Sequence, residues 1–465
     1  HRTVPLLLLL VAALLVAALG VSSCSTIGRL NPFDKKDKGP QELAGQGQRI
    51  SIVPPDEVLE PAPALKGVTF SLSPAQQMAS WPVPGGNLEQ AVGNVALGES
   101  LAVAWRKDFG QGEKRGRYIT APPIAADGKV FAMDADGRVV ALDARSGSEV
   151  WRKGTNPGDN KRDRLAFGGG MAYADGKLYV SSGYREVLQM DARTGAIGWR
   201  TRTDQPIHGA PTVSGGRVFV VSLDNTLLTF DTATGTPSWT YQALSEPARI
   251  LKASTPAISG DTVVAAFGSG ELVALRTANG NDLWSEALSR ASRTSALSEI
   301  RDIPGRPAIY QGDVFAVSHS GVFAATDLRT GQARWSLPVV GISTPWPSGD
   351  VVYVVSKPGE VICVSRESGQ IYWMKDLNEG FKSKSKGGIF GLFGKKTTRP
   401  IWSGPLLVGQ RLLIAGQTGD LVVLNAHTGE IEKRLRLGGP ATMAPIAMGD
   451  TAYVVTDEAD LVAIR

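Results

Sequence analysis

A repeated unit of about 45 residues fills most of this 465-residue chain and restricts its fold more than any other feature. Each copy ends in a tight turn, typically Asp-x-x-Thr/Ser-Gly, and six of the seven copies place tryptophan four residues after the turn glycine. The turn glycines are Gly147, Gly195, Gly235, Gly280, Gly331, Gly369 and Gly429, and the tryptophans are Trp151, Trp199, Trp239, Trp284, Trp335 and Trp373. Repeats of this length are typical of β-propeller blades, whose sheets bury their faces against neighbouring sheets.

Four short strand-like runs make up each copy, separated by turn residues such as Asp175-Gly176 that tolerate positive φ. The last copy, Met443 to Arg465, contains only three such runs. Upstream of the first copy, Ser100 to Trp105 forms an isolated strand-like run that ends in tryptophan. Pairing this run with the last three closes the ring and removes its open sheet edges. We therefore predict an all-β, eight-bladed propeller over residues 100–465, with its last blade closed by an N-terminal strand.

The first residues have the pattern of a bacterial lipoprotein signal. The apolar run 6–21 has 16 residues, fewer than the ~20 that a membrane-spanning helix needs. It leads into Val21-Ser22-Ser23-Cys24, which resembles a lipobox. The resemblance implies cleavage before Cys24 and lipidation of its sulfur. Because Ser25 follows the cysteine, it also implies delivery to the outer membrane. An ordinary signal peptide with an incidental cysteine is the alternative. We predict a signal peptide over 1–23, a flexible tether over 24–48 and an extended proline-rich arm over 49–99.

The net charge of +5 comes from one segment and not from the predicted propeller as a whole. A basic insertion, 377–399, separates the sixth and seventh copies and contains six basic residues against Glu379. Without the signal peptide and this insertion, 42 basic residues face 43 acidic ones. Nucleic-acid binding by the propeller body is therefore not expected. The insertion itself is interpreted either as a flexible loop or as a contact with anionic lipid or a partner.

Catalytic and metal-binding patterns are missing from the sequence. The four histidines have no zinc-site spacing, and the two cysteines do not form a Cys-x-x-Cys pair. Cys363 lies in an apolar strand-like run, which predicts a buried core thiol. The residues Asp143, Asp191 and Asp231 recur with the turn period and are expected to cap turns. We expect no catalytic residue, no metal site and no cofactor.

The repeat resembles the PQQ-like propeller repeat across 101–465. Together with the lipobox and an arm that contains Trp81-Pro-Val-Pro-Gly-Gly86, it resembles the BamB family of outer-membrane lipoproteins. The resemblance implies a non-enzymatic scaffold of the β-barrel assembly machinery, anchored to the periplasmic face of the outer membrane. It also implies binding to a POTRA domain of BamA and to other members of that complex. The expected activity is assistance to the folding and insertion of nascent outer-membrane β-barrel proteins.

Family members bind BamA through neighbouring inter-blade connections, and the matching positions here define the candidate contact residues. In the first connection these are Arg249, Ile250, Leu251 and Lys252, which offer apolar anchors between basic groups. In the second connection Asp302 matches one acidic position, whereas Pro304 replaces another. The alternative is that Ile250 and Leu251 begin the inner strand of the next blade.

Two other functions are compatible with a PQQ-like propeller. A quinoprotein dehydrogenase would use pyrroloquinoline quinone, a calcium ion, an aspartate base and commonly a vicinal cysteine pair, and no such pair exists here. A binding propeller of the envelope with another role, such as glycan recognition, would use clustered exposed aromatic residues. Trp346 and Trp402 lie near the starts of predicted blades. We expect them either to line the central channel or to pack in the core.

Overall fold

The computed structural model describes residues 58–157, 166–244, 254–288, 305–381 and 399–465. Within these ranges lie 32 β-strands and one 3-10 turn, Pro63–Leu65. The strands are β1 (Val103–Asp108), β2 (Ile124–Ala126), β3 (Lys129–Met133), β4 (Arg138–Asp143), β5 (Glu149–Gly154), β6 (Gly169–Ala174), β7 (Lys177–Ser182), β8 (Glu186–Asp191), β9 (Ile197–Arg202), β10 (Thr212–Ser214), β11 (Arg217–Val221), β12 (Thr226–Asp231), β13 (Pro237–Gln242), β14 (Ala257–Ser259), β15 (Thr262–Ala266), β16 (Glu271–Arg276), β17 (Asp282–Ala287), β18 (Ala308–Tyr310), β19 (Asp313–Val317), β20 (Phe323–Asp327), β21 (Ala333–Leu337), β22 (Trp346–Ser348), β23 (Val351–Val355), β24 (Glu360–Ser365), β25 (Ile371–Asp376), β26 (Trp402–Val408), β27 (Arg411–Gly416), β28 (Asp420–Asn425), β29 (Ile431–Arg436), β30 (Ile446–Met448), β31 (Thr451–Val455) and β32 (Asp460–Ile464).

The strands form eight four-stranded antiparallel sheets, which are the blades of a propeller. Blades 1 to 7 each use four consecutive strands, from β2–β5 to β26–β29, and blade 8 has the order β1-β32-β31-β30. The first strands of neighbouring blades contact one another from blade 1 to blade 7, and β30 of blade 8 contacts β2 of blade 1. The predicted eight-bladed fold and its closure by an N-terminal strand are therefore confirmed. That strand runs from Val103 to Asp108 and so starts slightly later than the predicted run at Ser100.

Burial differs sharply between the strands of one blade. The middle strands are buried on both faces by the adjacent blades, so β23 is an uninterrupted apolar run with every residue buried. The outer strands alternate between exposed and half-buried residues, as in β13. Cys363 in β24 is fully buried, as predicted, and burial raises the pKa of its thiol.

The repeated tryptophan joins each blade to the next. Trp151 on β5 packs under the turn of blade 2, and its Nε1 donates a hydrogen bond to the Ala192 carbonyl at 3.1 Å. A Cβ added to Gly195 would lie 2.6 Å from Cε3 of Trp151, so the turn accepts only glycine without rearrangement. Asp191 begins this turn and accepts hydrogen bonds from the Thr194 hydroxyl and from the amides of residues 193 and 194, which lower the pKa of its carboxyl. The predicted structural role of the repeated aspartates is thus confirmed.

The contact between a tryptophan and the turn of the next blade also joins blade 8 to blade 1, through Trp105. At the boundary between blades 7 and 8 a lysine replaces the tryptophan. Trp105 on β1 packs under Gly147 of blade 1. Blade 8 has no third-to-fourth strand turn, because β32 ends the chain and β1 comes from the N-terminal side. Blade 7 therefore has no turn to receive a tryptophan, and Lys433 stands in its place. The Lys433 Nζ donates to the carbonyls of Ser100 and Leu101 at 2.9 and 3.0 Å.

Residues 58–99, called the arm below, pack across one end of the propeller. We call this end the hairpin face, because it carries the hairpins between the first and second strands of the blades. The arm exchanges backbone hydrogen bonds with seven blades, through the residues Ala125, Tyr173, Ile258, Ile309, Asp350, Leu407 and Gly449. Trp81 is fully buried, pairs with Ala125 in both directions, and stacks on Trp346 with ring centroids 6.3 Å apart. The arm therefore closes the hairpin face over the propeller axis.

Candidate functional site

The opposite end of the propeller is the candidate interaction surface. In each blade the fourth strand returns to this end, and the connection to the first strand of the next blade begins there, so we call it the connection face. The two predicted contact segments belong to the connections β13–β14 and β17–β18, which follow one another around the ring. The described arm residues bind at the hairpin face, so the connection face is the end of the axis that the arm does not cover.

The predicted contact residues Arg249, Ile250, Leu251, Lys252 and Asp302 lie outside the described residues. The structure does describe the points at which both connections end. Ser254 lies three residues before β14, the inner strand of blade 4, and its Oγ donates to the Gly305 carbonyl at 3.4 Å. The downstream ends of the two connections are therefore in contact.

The first connection begins at an exposed leucine. Leu244 follows β13 and has 66% of its surface exposed. Its amide donates to Oε2 of Glu271 at 2.8 Å, and its carbonyl accepts from Nδ2 of Asn225 at 2.8 Å. These backbone bonds fix the position of a largely exposed apolar side chain.

A shallow groove of about 600 Å³ surrounds Leu244, with Asp224 and Glu271 at its edges. Tyr241 also lines it, and burial together with the charges of Asp282 and Glu271 raises the pKa of its hydroxyl. An apolar anchor with acidic neighbours suits a protein partner that offers an apolar residue and basic groups.

Sequence reasoning did not identify Leu244, Asp224 or Glu271. The available signal was an apolar residue placed directly after an outer strand, at the start of the predicted contact connection. Asp224 lies in the turn between the second and third strands of blade 3, the blade that Leu244 follows, whereas Glu271 begins the third strand of blade 4. Only the ring arrangement of the blades brings Glu271 beside Leu244.

Other predicted sites fall partly outside the described residues. Cys24, the tether and most of the basic insertion, 382–398, belong to the undescribed ranges. The base of the insertion is described: Arg399 pairs with Asp376 at 3.3 Å, and Nδ2 of Asn378 donates to the Pro400 carbonyl at 3.1 Å. The insertion thus leaves and rejoins the fold at one point between blades 6 and 7, on the connection face.

Aromatic residues near the channel are mainly core residues. Trp346 and Trp402 are 4% and 2% exposed. The Trp402 Nε1 donates to Oδ1 of Asn378, whereas Trp346 also lines the central cavity. Among the described residues there is no group of three or more His, Cys, Asp or Glu side chains that could hold a metal ion. The described part of the chain also contains no helix long and apolar enough to cross a membrane.

Comparison with known proteins separates the two PQQ-like families. A family model described as outer membrane protein assembly factor BamB matches residues 135–375 and 385–465. A model described as the β-propeller domain of glucose/ethanol/alcohol dehydrogenase matches the shorter range 92–177. Among curated relatives, BamB of Burkholderia pseudomallei is 25% identical over 363 residues, which are 78% of this chain and 87% of that protein. BamB of Salmonella typhimurium is 27% identical over 259 residues, 55% of this chain and 66% of that protein.

Solved structures show that this fold is shared more widely than the family. BamB from Moraxella catarrhalis superposes with a TM-score of 0.66 at 19% identity and covers 78% of this chain and 99% of that one. A quinohemoprotein alcohol dehydrogenase from Comamonas testosteroni superposes with a TM-score of 0.64 at 15% identity, covering 84% and 81%. At these identities the superpositions show the propeller fold alone, whereas the assembly-factor model matches most of the chain. The chain belongs to the BamB family of outer membrane protein assembly factors.

Proposed function

We propose that this protein is a non-enzymatic scaffold of the β-barrel assembly machinery that assists the folding and insertion of outer-membrane β-barrel proteins. The match of the assembly-factor family model to residues 135–375 and 385–465 is the observation that carries this proposal. The curated relatives are assembly factors, and no metal-binding cluster occurs among the described residues.

The partner surface that we propose is the part of the connection face around blades 3 to 5. It comprises the groove at Leu244 together with the two connections that carry Arg249, Ile250, Leu251, Lys252 and Asp302. Three observations support this choice: Leu244 is exposed, Ser254 contacts Gly305, and the arm covers the other end of the axis. A POTRA domain of BamA is the proposed partner, and apolar anchors inside a charged rim are typical of such docking sites.

Nascent β-barrel proteins are the proposed clients. The outer strand of each blade has one edge without a partner strand in the sheet order, and an extended client segment can pair with such an edge. Many of these outer strands carry charged residues, as in β5 and β29, which disfavours permanent edge-to-edge association. Short-lived pairing with unfolded segments is consistent with both features.

The decisive experiment is affinity capture of the full chain from detergent-solubilised envelopes, followed by detection of BamA. We expect BamA in the eluate together with other members of the complex. Absence of BamA, under conditions in which those members remain associated with one another, contradicts the proposed function.

Charged substitutions should locate the contact. We expect Leu244→Asp, and separately the pair Ile250→Asp with Leu251→Asp, to lower recovered BamA about tenfold or more, because hot-spot anchors contribute about 2 kcal/mol or more. Val150→Asp is the matched control, since Val150 is a 48% exposed apolar residue on the outer strand of blade 1. Each variant is also tested for its thermal midpoint. A large loss of stability in the Ile250/Leu251 variant supports the alternative that these residues begin an inner strand.

Anchoring is tested separately from partner binding. We propose that Cys24 is lipidated and holds the protein at the periplasmic face of the outer membrane. Cys24→Ala should abolish incorporation of labelled fatty acid and release the protein into the soluble fraction, because several acyl chains on one residue anchor stably. Cys363→Ala is the control, since the Cys363 thiol is fully buried. Labelling that survives Cys24→Ala contradicts the proposed anchor.

A further inference from the structure

A cavity of about 100 Å³ lies on the propeller axis. Its walls are the segments that lead into the inner strands, and Pro84 of the arm lines it together with Trp346. A buried water needs about 10–15 Å³ on the same measure, so the cavity has room for roughly seven to ten water-sized groups. This volume is large enough for a small organic molecule.

An arginine in the wall of this cavity, Arg306, has no counter-ion among the residues that the structure describes. The Nε of Arg306 is buried without a hydrogen-bond acceptor, while its backbone amide donates to Oγ1 of Thr344 at 3.1 Å. No aspartate or glutamate is among the described residues that line the cavity. Burial lowers the pKa of Arg306 to about 10, which still leaves the guanidinium charged at neutral pH.

Other arginines of the propeller show how unusual this environment is. Arg138 pairs with Asp134 at 2.7 Å, and Arg334 pairs with both Asp313 and Asp327. A half-buried cation whose Nε has no acceptor costs free energy that the fold must offset elsewhere. An anion bound in the cavity would supply a counter-charge and an acceptor for this Nε.

The walls of the cavity indicate what kind of anion fits. A guanidinium presents a planar pair of donors that matches a carboxylate. Ile342, Trp346 and Met443 add apolar surface, and Ser343 adds a hydroxyl. A bare inorganic ion would leave the apolar walls without contacts. We propose that this cavity binds a small organic carboxylate, with its charge on the Arg306 guanidinium and its hydrocarbon part against the apolar wall.

Calorimetric titration of the full-length protein in detergent tests this proposal. The probes are hexanoate, hexanol, sulfate, and a short alanine peptide with either a free or an amidated C-terminus. We expect binding of hexanoate or of the free-acid peptide, and a rise in the thermal midpoint of the protein with the bound probe. Hexanoate binding identifies a free small acid as the ligand class, whereas binding of the free-acid peptide alone identifies a polypeptide terminus.

Arg306→Gln should weaken that binding about tenfold to a hundredfold, because a hydrogen bond to a charged group is lost. The variant should be at least as thermostable without ligand, since it removes a half-buried cation that has no counter-ion among the described residues. Arg306→Lys retains the positive charge but lacks the planar pair of donors, so this variant should bind the carboxylate with intermediate affinity. Arg329→Gln is the matched control, because Arg329 is exposed. The proposal is overturned if no carboxylate binds, if hexanol or sulfate binds as tightly, or if Arg306→Gln binds like the unmodified protein.

Discussion

Replacing Trp81 by alanine should destabilise the protein by about 3–5 kcal/mol and detach the arm from the hairpin face. The Trp81 side chain is fully buried, its Nε1 donates to the Pro84 carbonyl at 3.0 Å, and its ring stacks on Trp346. The substitution removes these contacts and leaves a void between the arm and the floor of the central cavity. Denaturant unfolding measures the stability, and limited proteolysis measures how far the arm is released.

Val68→Ala is the control for this prediction, because Val68 belongs to the same arm and has 48% of its surface exposed. Its free energy of unfolding should stay within about 0.5 kcal/mol of the unmodified protein. If Trp81→Ala leaves both the stability and the protease resistance of the arm unchanged, then Trp81 does not hold the arm in place.

Gly195→Ala should cost about 2–5 kcal/mol, because two separate effects add at this position. Gly195 has φ +74, where an L-residue with a Cβ is strained by about 1–2 kcal/mol. The added Cβ would also lie 2.6 Å from Cε3 of Trp151, and overpacking of this kind costs about 1–3 kcal/mol. Denaturant unfolding gives the value for each variant.

Gly176 provides a close match for Gly195 in the same blade. It has φ +75, and a Cβ added there would meet no atom within 4 Å. Gly176→Ala should therefore show the backbone strain alone. In the double variant Gly195→Ala with Trp151→Ala, the clash is removed, so the two free-energy changes should not add. If Gly195→Ala and Gly176→Ala lower the free energy of unfolding equally, then the tryptophan contact does not restrict the turn.

The propeller was predictable because its determinants recur along the chain. The turn glycine and the tryptophan four residues later specify where each blade ends, and both are local in sequence. The count of eight blades followed from two incomplete blades. The range 100–105 supplies one strand and the range 443–465 supplies three, and together they complete a four-stranded sheet. Lys433, the one exception to the tryptophan pattern, marks the boundary where blade 8 has no turn to receive an indole.

The arm was less accessible to sequence reasoning. Its proline-rich sequence predicts an extended segment but not a binding place, because its backbone partners are spread over blades that are hundreds of residues apart. Trp81 pairs with Ala125, whereas Val95 pairs with Leu407. No local pattern encodes such pairs.

The sequence by itself determined the repeat, the number of blades, the closure of the ring and the burial of Cys363, because these depend on the periodicity of the turns and on short apolar runs. Only the tertiary structure decided which end of the axis is covered, since the arm must cross seven blades to cover it. It also placed Leu244 of blade 3 beside Glu271 of blade 4, and it left the Arg306 side chain in the axial cavity without a counter-ion among the described residues. The surroundings of both residues depend on neighbours from other blades, and the closed ring is what makes them neighbours.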